Sequence, residues 1–148
     1  MSYIKLHKFL QDWFNNEPLI NTTSNFQEYE IDVNKETIYP LANFYIKETE
    51  YGQALPYKCL ITLLDQVDII PKVDNSKSLE ATNHFDIVNE LEQVLFRFLN
   101  HLRERNNDEL VFTETIGTIS YLKSISRNGL SGVEVEVTFE IPNEVVNY

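Results

Sequence analysis

Side chains able to do acid–base, nucleophilic or metal chemistry are few and scattered in this chain. It has three histidines, His7, His84 and His101, and one cysteine, Cys59. His84 and His101 fall on different arcs of one helical stretch, so no local pair of imidazoles can share a metal ion. Cys59 has no second thiol for a disulfide or a Cys-pair metal site, and it stands in an apolar strand pattern, which reads as core. Gly52, Gly117, Gly129 and Gly132 form no phosphate-cradling loop. Gly129-Leu130-Ser131-Gly132 lacks the five-residue spacing of a nucleophile elbow, and its serine opens a strand rather than a helix. Asp65 and Asp68, with Glu48 or Glu50, are the carboxylates best placed to hold a hard cation. Carboxylates at strand ends are far more often simply solvated. The chain is therefore read as a protein without catalytic residues, without a metal or other cofactor, and without a small-molecule substrate.

Carboxylates in a different pattern are more informative. From Val133 to Ile141 every odd position is apolar (Val133, Val135, Val137, Phe139, Ile141), and Glu134, Glu136, Thr138 and Glu140 lie between them. Strict period-2 alternation predicts a strand with one face on a core and the other a row of acids. Arg127-Asn128-Gly129 before it is a tight-turn signal, because Asn and Gly tolerate positive φ, and Pro142 ends it. Glu134, Glu136 and Glu140 are thus candidates for an exposed acidic face.

The elements that must position this strand follow from periodicity. Residues 3 to 14 space Tyr3, Leu6, Phe9, Leu10, Trp13 and Phe14 as an amphipathic helix capped by Ser2, and Pro18 stops it. Thr22 to Asn25 reads as a loop, and Phe26 to Asp32 as a short strand. A strand over 39–47 carries Pro40 at its start, Tyr51-Gly52-Gln53 is a hairpin tip, and Pro56 to Gln66 is a third, central strand covered on both faces. Residues 72–81 are polar and patternless. Over 84–104 the apolar positions Ile87, Val88, Leu91, Val94, Leu95, Phe98, Leu99 and Leu102 fill one arc, with Thr82 or Asn83 as N-cap. Leu110 to Ile125 reads as one long strand of imperfect alternation, with Gly117 marking a bend or bulge.

Length and composition bound the rest. At 148 residues, with 43% hydrophobic content, the chain is expected to be a single domain over 1–148 with a core of its own. The fold class is α+β: a mixed, mainly antiparallel sheet of about five strands, one long helix packed on it and a shorter N-terminal helix, in the order α-β-β-β-α-β-β. No apolar run is long enough to span a membrane, and the first residues lack the apolar segment of a signal peptide. Folding in a reducing cytoplasm is expected. A net charge of −11, with only 12 Lys and Arg, argues against gripping nucleic acid by counterion release. Such acidity serves solubility, or a surface that repels phosphate.

The helix, strand, strand, strand, long helix, strand, strand order resembles the tail-completion family of bacteriophages, the small tail terminator and head–tail joining proteins. The pieces that carry the resemblance are Asn16-Glu17-Pro18 after an aromatic helix, Tyr39-Pro40-Leu41-Ala42 opening a strand, Tyr57 to Asp65, and Asn128-Gly129-Leu130-Ser131-Gly132-Val133 running into Glu140-Ile141-Pro142. The pattern covers most of the chain, each motif being short, and Val133 stands where an aromatic often follows the glycine. The resemblance implies a structural virion protein, made in the host cytoplasm and placed at the head–tail junction or neck. It implies a homo-oligomeric ring, usually of six copies, between tail-tube and head-connector or portal proteins. Genomic DNA would pass through without specific binding, and Glu134, Glu136 and Glu140 would line or flank the channel. The candidate assembly loops are Thr22 and Thr23; Glu50, Tyr51 and Gln53; and Asn75, Lys77 and Ser78. Two alternatives stand beside this reading. One is a twelve-copy neck or stopper adaptor of a short-tailed phage. The other is a non-virion acidic protein-binding module, such as an inhibitor that mimics DNA.

Overall fold

The computed structural model describes residues 2–25, 39–67, 83–104, 111–123 and 129–143. Among these residues there are two helices, α1 (Ser2–Asn15) and α2 (His84–Glu104). The described residues also form six strands: β1 (Thr22–Ser24), β2 (Leu41–Glu48), β3 (Ala54–Gln66), β4 (Thr113–Ile116), β5 (Ser120–Leu122) and β6 (Leu130–Pro142). The α+β class and the expected alternation of helices and strands are both present. The sheet runs β1-β2-β3-β6-β4, with β5 also on β6, and is antiparallel except for the parallel β1–β2 pair.

Both helices lie on one face of the sheet. Leu6, Leu10 and Phe14 of α1 and the apolar arc of α2 meet the inward side chains of three strands. These are Ala42, Phe44 and Ile46 of β2, Cys59, Ile61 and Leu63 of β3, and Val133, Val135, Val137, Phe139 and Ile141 of β6. Burying each large apolar side chain stabilises the fold by roughly 1.5–3 kcal/mol before entropy is subtracted, so the long arc of α2 over β6 is a principal support. Aromatic rings concentrate where the helices meet. Trp13 stands edge-on to Phe14 and Phe98, each with centroids 5.0 Å away. Phe14 stacks on Phe44 at 5.8 Å.

Helix ends obey local chemistry. Asn16 N–H and its side-chain amide both reach the Asp12 carbonyl (3.2 and 2.9 Å), closing α1 just before Pro18. The Asn83 carbonyl accepts the Ile87 N–H at 3.0 Å, which places Asn83 at the N-cap of α2. Thr82, the other expected cap, lies outside the described residues. So does the expected strand Phe26 to Asp32.

Two expectations are corrected. Thr22 and Thr23, expected in a loop, belong to β1, pairing in parallel with Leu41 and Ala42. Three residues are too few to show alternation, and the pairing comes from the distant β2 rather than from local pattern. Within the expected single strand over 110–125, the described residues 111–123 form two strands, and 110, 124 and 125 lie outside the described residues. Ile116 faces Val137 while Ser120 faces Glu134, so residues 117–119 oppose only 135 and 136. The extra residue is a β-bulge beginning at Gly117, the position marked for one. It shifts the inward set from even (Ile116) to odd (Tyr121), the physical cause of the imperfect alternation.

The Tyr39–Pro40 peptide is cis. Leu41, Leu64 and Leu130 are fully buried together on the sheet face away from the helices, with Tyr39 and Leu122 against them. That matches the reading of β3 as covered on both sides at this end.

Candidate functional site

The sheet face away from the helices carries all three candidate acids. Alternation along β6 turns its even residues outward, and the register sets their neighbours. Glu134 lies between Thr62 of β3 and Ser120 of β5; Glu136 lies opposite Leu60; Glu140 lies between Pro56 and Thr113. One polar row therefore crosses the sheet from edge to edge: Ser24, Asn43, Thr62, Glu134, Ser120. Ser24 Oγ donates to Asn43 Oδ1 at 2.7 Å, and Thr62 Oγ1 donates to Glu134 Oε2 at 2.8 Å. An acceptor-only carboxylate that accepts a hydrogen bond from a hydroxyl is fixed in orientation.

The acids are not the bare row that the alternation suggests. Glu134 and Glu136 are half-buried, and Glu140 is the exposed one of the three. Glu136 is paired to Lys47, Nζ to Oε2 at 2.8 Å, and this hydrogen bond raises the Lys47 ammonium above its ordinary value. Lys47 reaches across β3 because it is a bulge residue. Ile46 faces Cys59 and Glu48 faces Lys58, leaving Lys47 with no register partner and free to swing over Leu60. The sequence held a signal for these partners in the polar outward positions Asn43, Lys47, Lys58 and Thr62, but only the register says which acid each one meets.

Between β3, β6 and the β4–β5 bulge, the outer face sinks into a concavity of about 400 Å³. Glu134, Glu136, Thr115, Thr118, Ser120 and Thr138 line it. Gly117 makes its rim, donating its N–H to the Glu136 carbonyl at 2.8 Å. Among the described residues its polar lining is carboxylates and hydroxyls, with Lys47 reaching only the Glu136 carboxylate, so it suits water or cations and opposes phosphate.

The candidate assembly loops divide three ways. Glu50, Tyr51 and Gln53 do form the turn between β2 and β3. The tip is pinned: Asn143, itself buried, donates its backbone N–H to the Gln53 carbonyl (2.8 Å) and its side-chain amide to the Gly52 carbonyl (2.9 Å). Tyr51 is left 89% exposed. Thr22 and Thr23 lie in the edge strand β1, where Thr23 Oγ1 donates to Asn15 Oδ1 at 3.0 Å. Asn75, Lys77 and Ser78 lie outside the described residues.

The chemistry-bearing residues have structural surroundings. Cys59 is buried in the core, and burial pushes its thiol well above the ordinary range. His101 stacks on Phe9 at 6.0 Å, and His7 stands edge-on to Phe44 at 5.5 Å. The sequence pattern missed one pair: His84 Nδ1 lies 2.8 Å from Ser131 Oγ. Ser131 is fully buried, and the pair fastens the start of α2 to β6. Glu17 was missed as well. It is buried at the end of α1, where Arg97 Nη2 donates to its Oε1 at 2.7 Å. Among the described residues no three His, Cys, Asp or Glu side chains converge as a metal site, Asp68 being outside that set. No described helix is long and apolar enough to cross a membrane.

No protein-family model matches the chain, and no curated protein matches it.

Proposed function

We propose that this chain is a structural protein without catalysis that closes into a homo-oligomeric ring at the head–tail junction of a bacteriophage, as a tail terminator or neck component. The observation that carries this reading is the sheet face opposite α1 and α2 and the acids it presents. Glu134, Glu136 and Glu140 rise from one continuous strand and share that face with hydroxyl side chains rather than a basic cluster. A wall of this kind lets a phosphate polymer slide past, because its carboxylates repel phosphate and its Lys47 and Lys58 ammoniums are engaged by Glu136 and Glu48. The helix and strand order of the tail-completion proteins supports it. So do the sheet's two outer edges, one at the short β1 and the other along β4 and β5. Distinct edges suit a head-to-tail contact whose repetition closes a ring.

Native mass measurement of the purified protein tests the proposal. A closed ring of six copies is expected. Twelve copies would reassign it as a neck adaptor. A strict monomer that competes with DNA for a basic protein would replace both readings with the DNA-mimicking module. A ring with Glu134, Glu136 and Glu140 on its outer circumference would remove them from the channel.

A further inference from the structure

The exposed faces of the two helices differ in charge and stand at opposite ends of the helical layer. Residues 2–11 of α1 include Lys5 and Lys8 and no carboxylate. Both lysines are exposed, beside Tyr3 (51% exposed) and Ile4 (57%). Residues 84–93 of α2 include Asp86, Glu90 and Glu92 and neither Lys nor Arg. Asp86 and Glu90 are exposed, and Phe85 is 76% exposed. Glu92 is held by the Tyr121 hydroxyl.

Anchoring contacts set these patches apart. Tyr3 packs on Tyr57 with centroids 6.4 Å apart, at the β2–β3 hairpin end. There Glu48 is held by Lys58 at 3.6 Å. His84 is fastened to Ser131 at the other end. Tyr57 registers with Phe139, and the stretch of β6 from Ser131 to Phe139 spans roughly 27 Å at about 3.4 Å per residue.

A basic, apolar patch at one end and an acidic, apolar patch at the other are complementary between copies, whereas like patches would oppose like charges, and the unlike sheet edges at β1 and β4–β5 favour repeating that contact in one direction. They fit each other head to tail. We infer that Tyr3, Ile4, Lys5 and Lys8 of one copy dock on Phe85, Asp86 and Glu90 of the next copy. This contact rests on the ring reading above and supplies the repeated interface that the ring needs. Phe85 and Tyr3 are its buried anchors, and the charges set direction and register.

Charge exchange tests it. One variant carries Lys5→Glu and Lys8→Glu; a second carries Asp86→Lys and Glu90→Lys. All four positions are exposed, so both variants are expected to keep the wild-type circular dichroism spectrum and to unfold cooperatively. By native mass measurement the wild type forms rings, while each variant alone opposes like charges at every contact and loses at least tenfold in ring population at equal concentration. Mixed in equal amounts, the two variants regain rings in which they alternate, because every contact is again between opposite charges. Rings from either variant alone at wild-type yield would overturn the docking surface and leave the ring reading standing. A mixture that stays monomeric would overturn the pairing of these two faces. A wild type that is monomeric at every concentration would overturn both.

Discussion

Cys59 carries the one thiol of the chain, and the fold buries it. It sits between Tyr57 and Ile61 on the inward face of β3, and burial raises its thiol because a thiolate there would lose its water. The folded-state value lies above the unfolded one. The stability this contributes is therefore whole below the unfolded thiol value, about 8.5, and is lost as pH rises past it. Between about pH 8.5 and 9.5, below the range of ordinary phenols, wild-type stability is expected to fall by up to about 1.4 kcal/mol per pH unit. Cys59→Ala, though less stable at every pH, should have a flatter profile in urea titrations. Equal slopes would mean the thiol is not desolvated. In native conditions Cys59 should also resist thiol reagents until the protein unfolds. Gly132 is decisive in another way. A Cβ there would overlap the Leu63 backbone carbonyl, since β3 and β6 meet with no room for a side chain. Gly132→Ala should lower the melting temperature severely or abolish folding, while Gly52→Ala, whose Cβ would meet nothing nearer than 3.5 Å, should change it little. Comparable melting curves for the two variants would contradict the close approach.

At the scale of elements, what was legible in the sequence is what burial writes locally. The arc of α2 and the alternation of β6 repeat often enough to be read without any partner, and both lie where the pattern puts them. Elements defined by distant pairing were not legible. β1 is three residues long and exists because β2 lies beside it. The β4–β5 break is a one-residue bulge that switches the parity of the pattern, so no single period describes the stretch. The candidate acids were placed on the correct face by alternation alone. Their engagement by Thr62 and Lys47 depends on a three-strand register and a bulge in β2, which no local rule contains. The same holds for the tie between the helices. Glu17 reads as a helix-stopping polar residue, yet it is buried and bound to Arg97, 80 positions away. Arg97→Ala would leave that carboxylate buried without its cation, at a cost of about 1.5–3 kcal/mol by the scale of charged hydrogen bonds. Glu17→Gln should recover part of the loss, because an amide tolerates the site better than an unpaired charge. Chemical denaturation of both single variants and the double variant gives the coupling. Strictly additive effects would show that the bridge does not join the helices.

At the scale of the whole molecule, the net charge of −11 is not spread uniformly, and its placement decides what the protein can touch. Acids on the outer sheet face include two that are engaged and the exposed Glu140, while the outer face of early α1 is basic. If the sheet face lines a channel, reversing its charge should convert a wall that repels DNA into one that holds it. The variant Glu134→Lys with Glu140→Lys does this while leaving the Lys47–Glu136 pair intact. It forfeits the hydrogen bond from Thr62, a loss of about 1 kcal/mol that the fold should tolerate. Rings of this variant are expected to retain linear duplex DNA at low salt and to release it steeply as salt rises, because phosphate contacts displace counterions. Wild-type rings should retain none. Topology then separates a lumen from an outer surface. A preassembled ring can be threaded by a linear duplex but not by a covalently closed circle. Retention of the linear form alone would place the two lysines, and hence Glu134 and Glu140, inside the ring. Equal retention of both forms would put that sheet face on the outside and end its role as a channel wall.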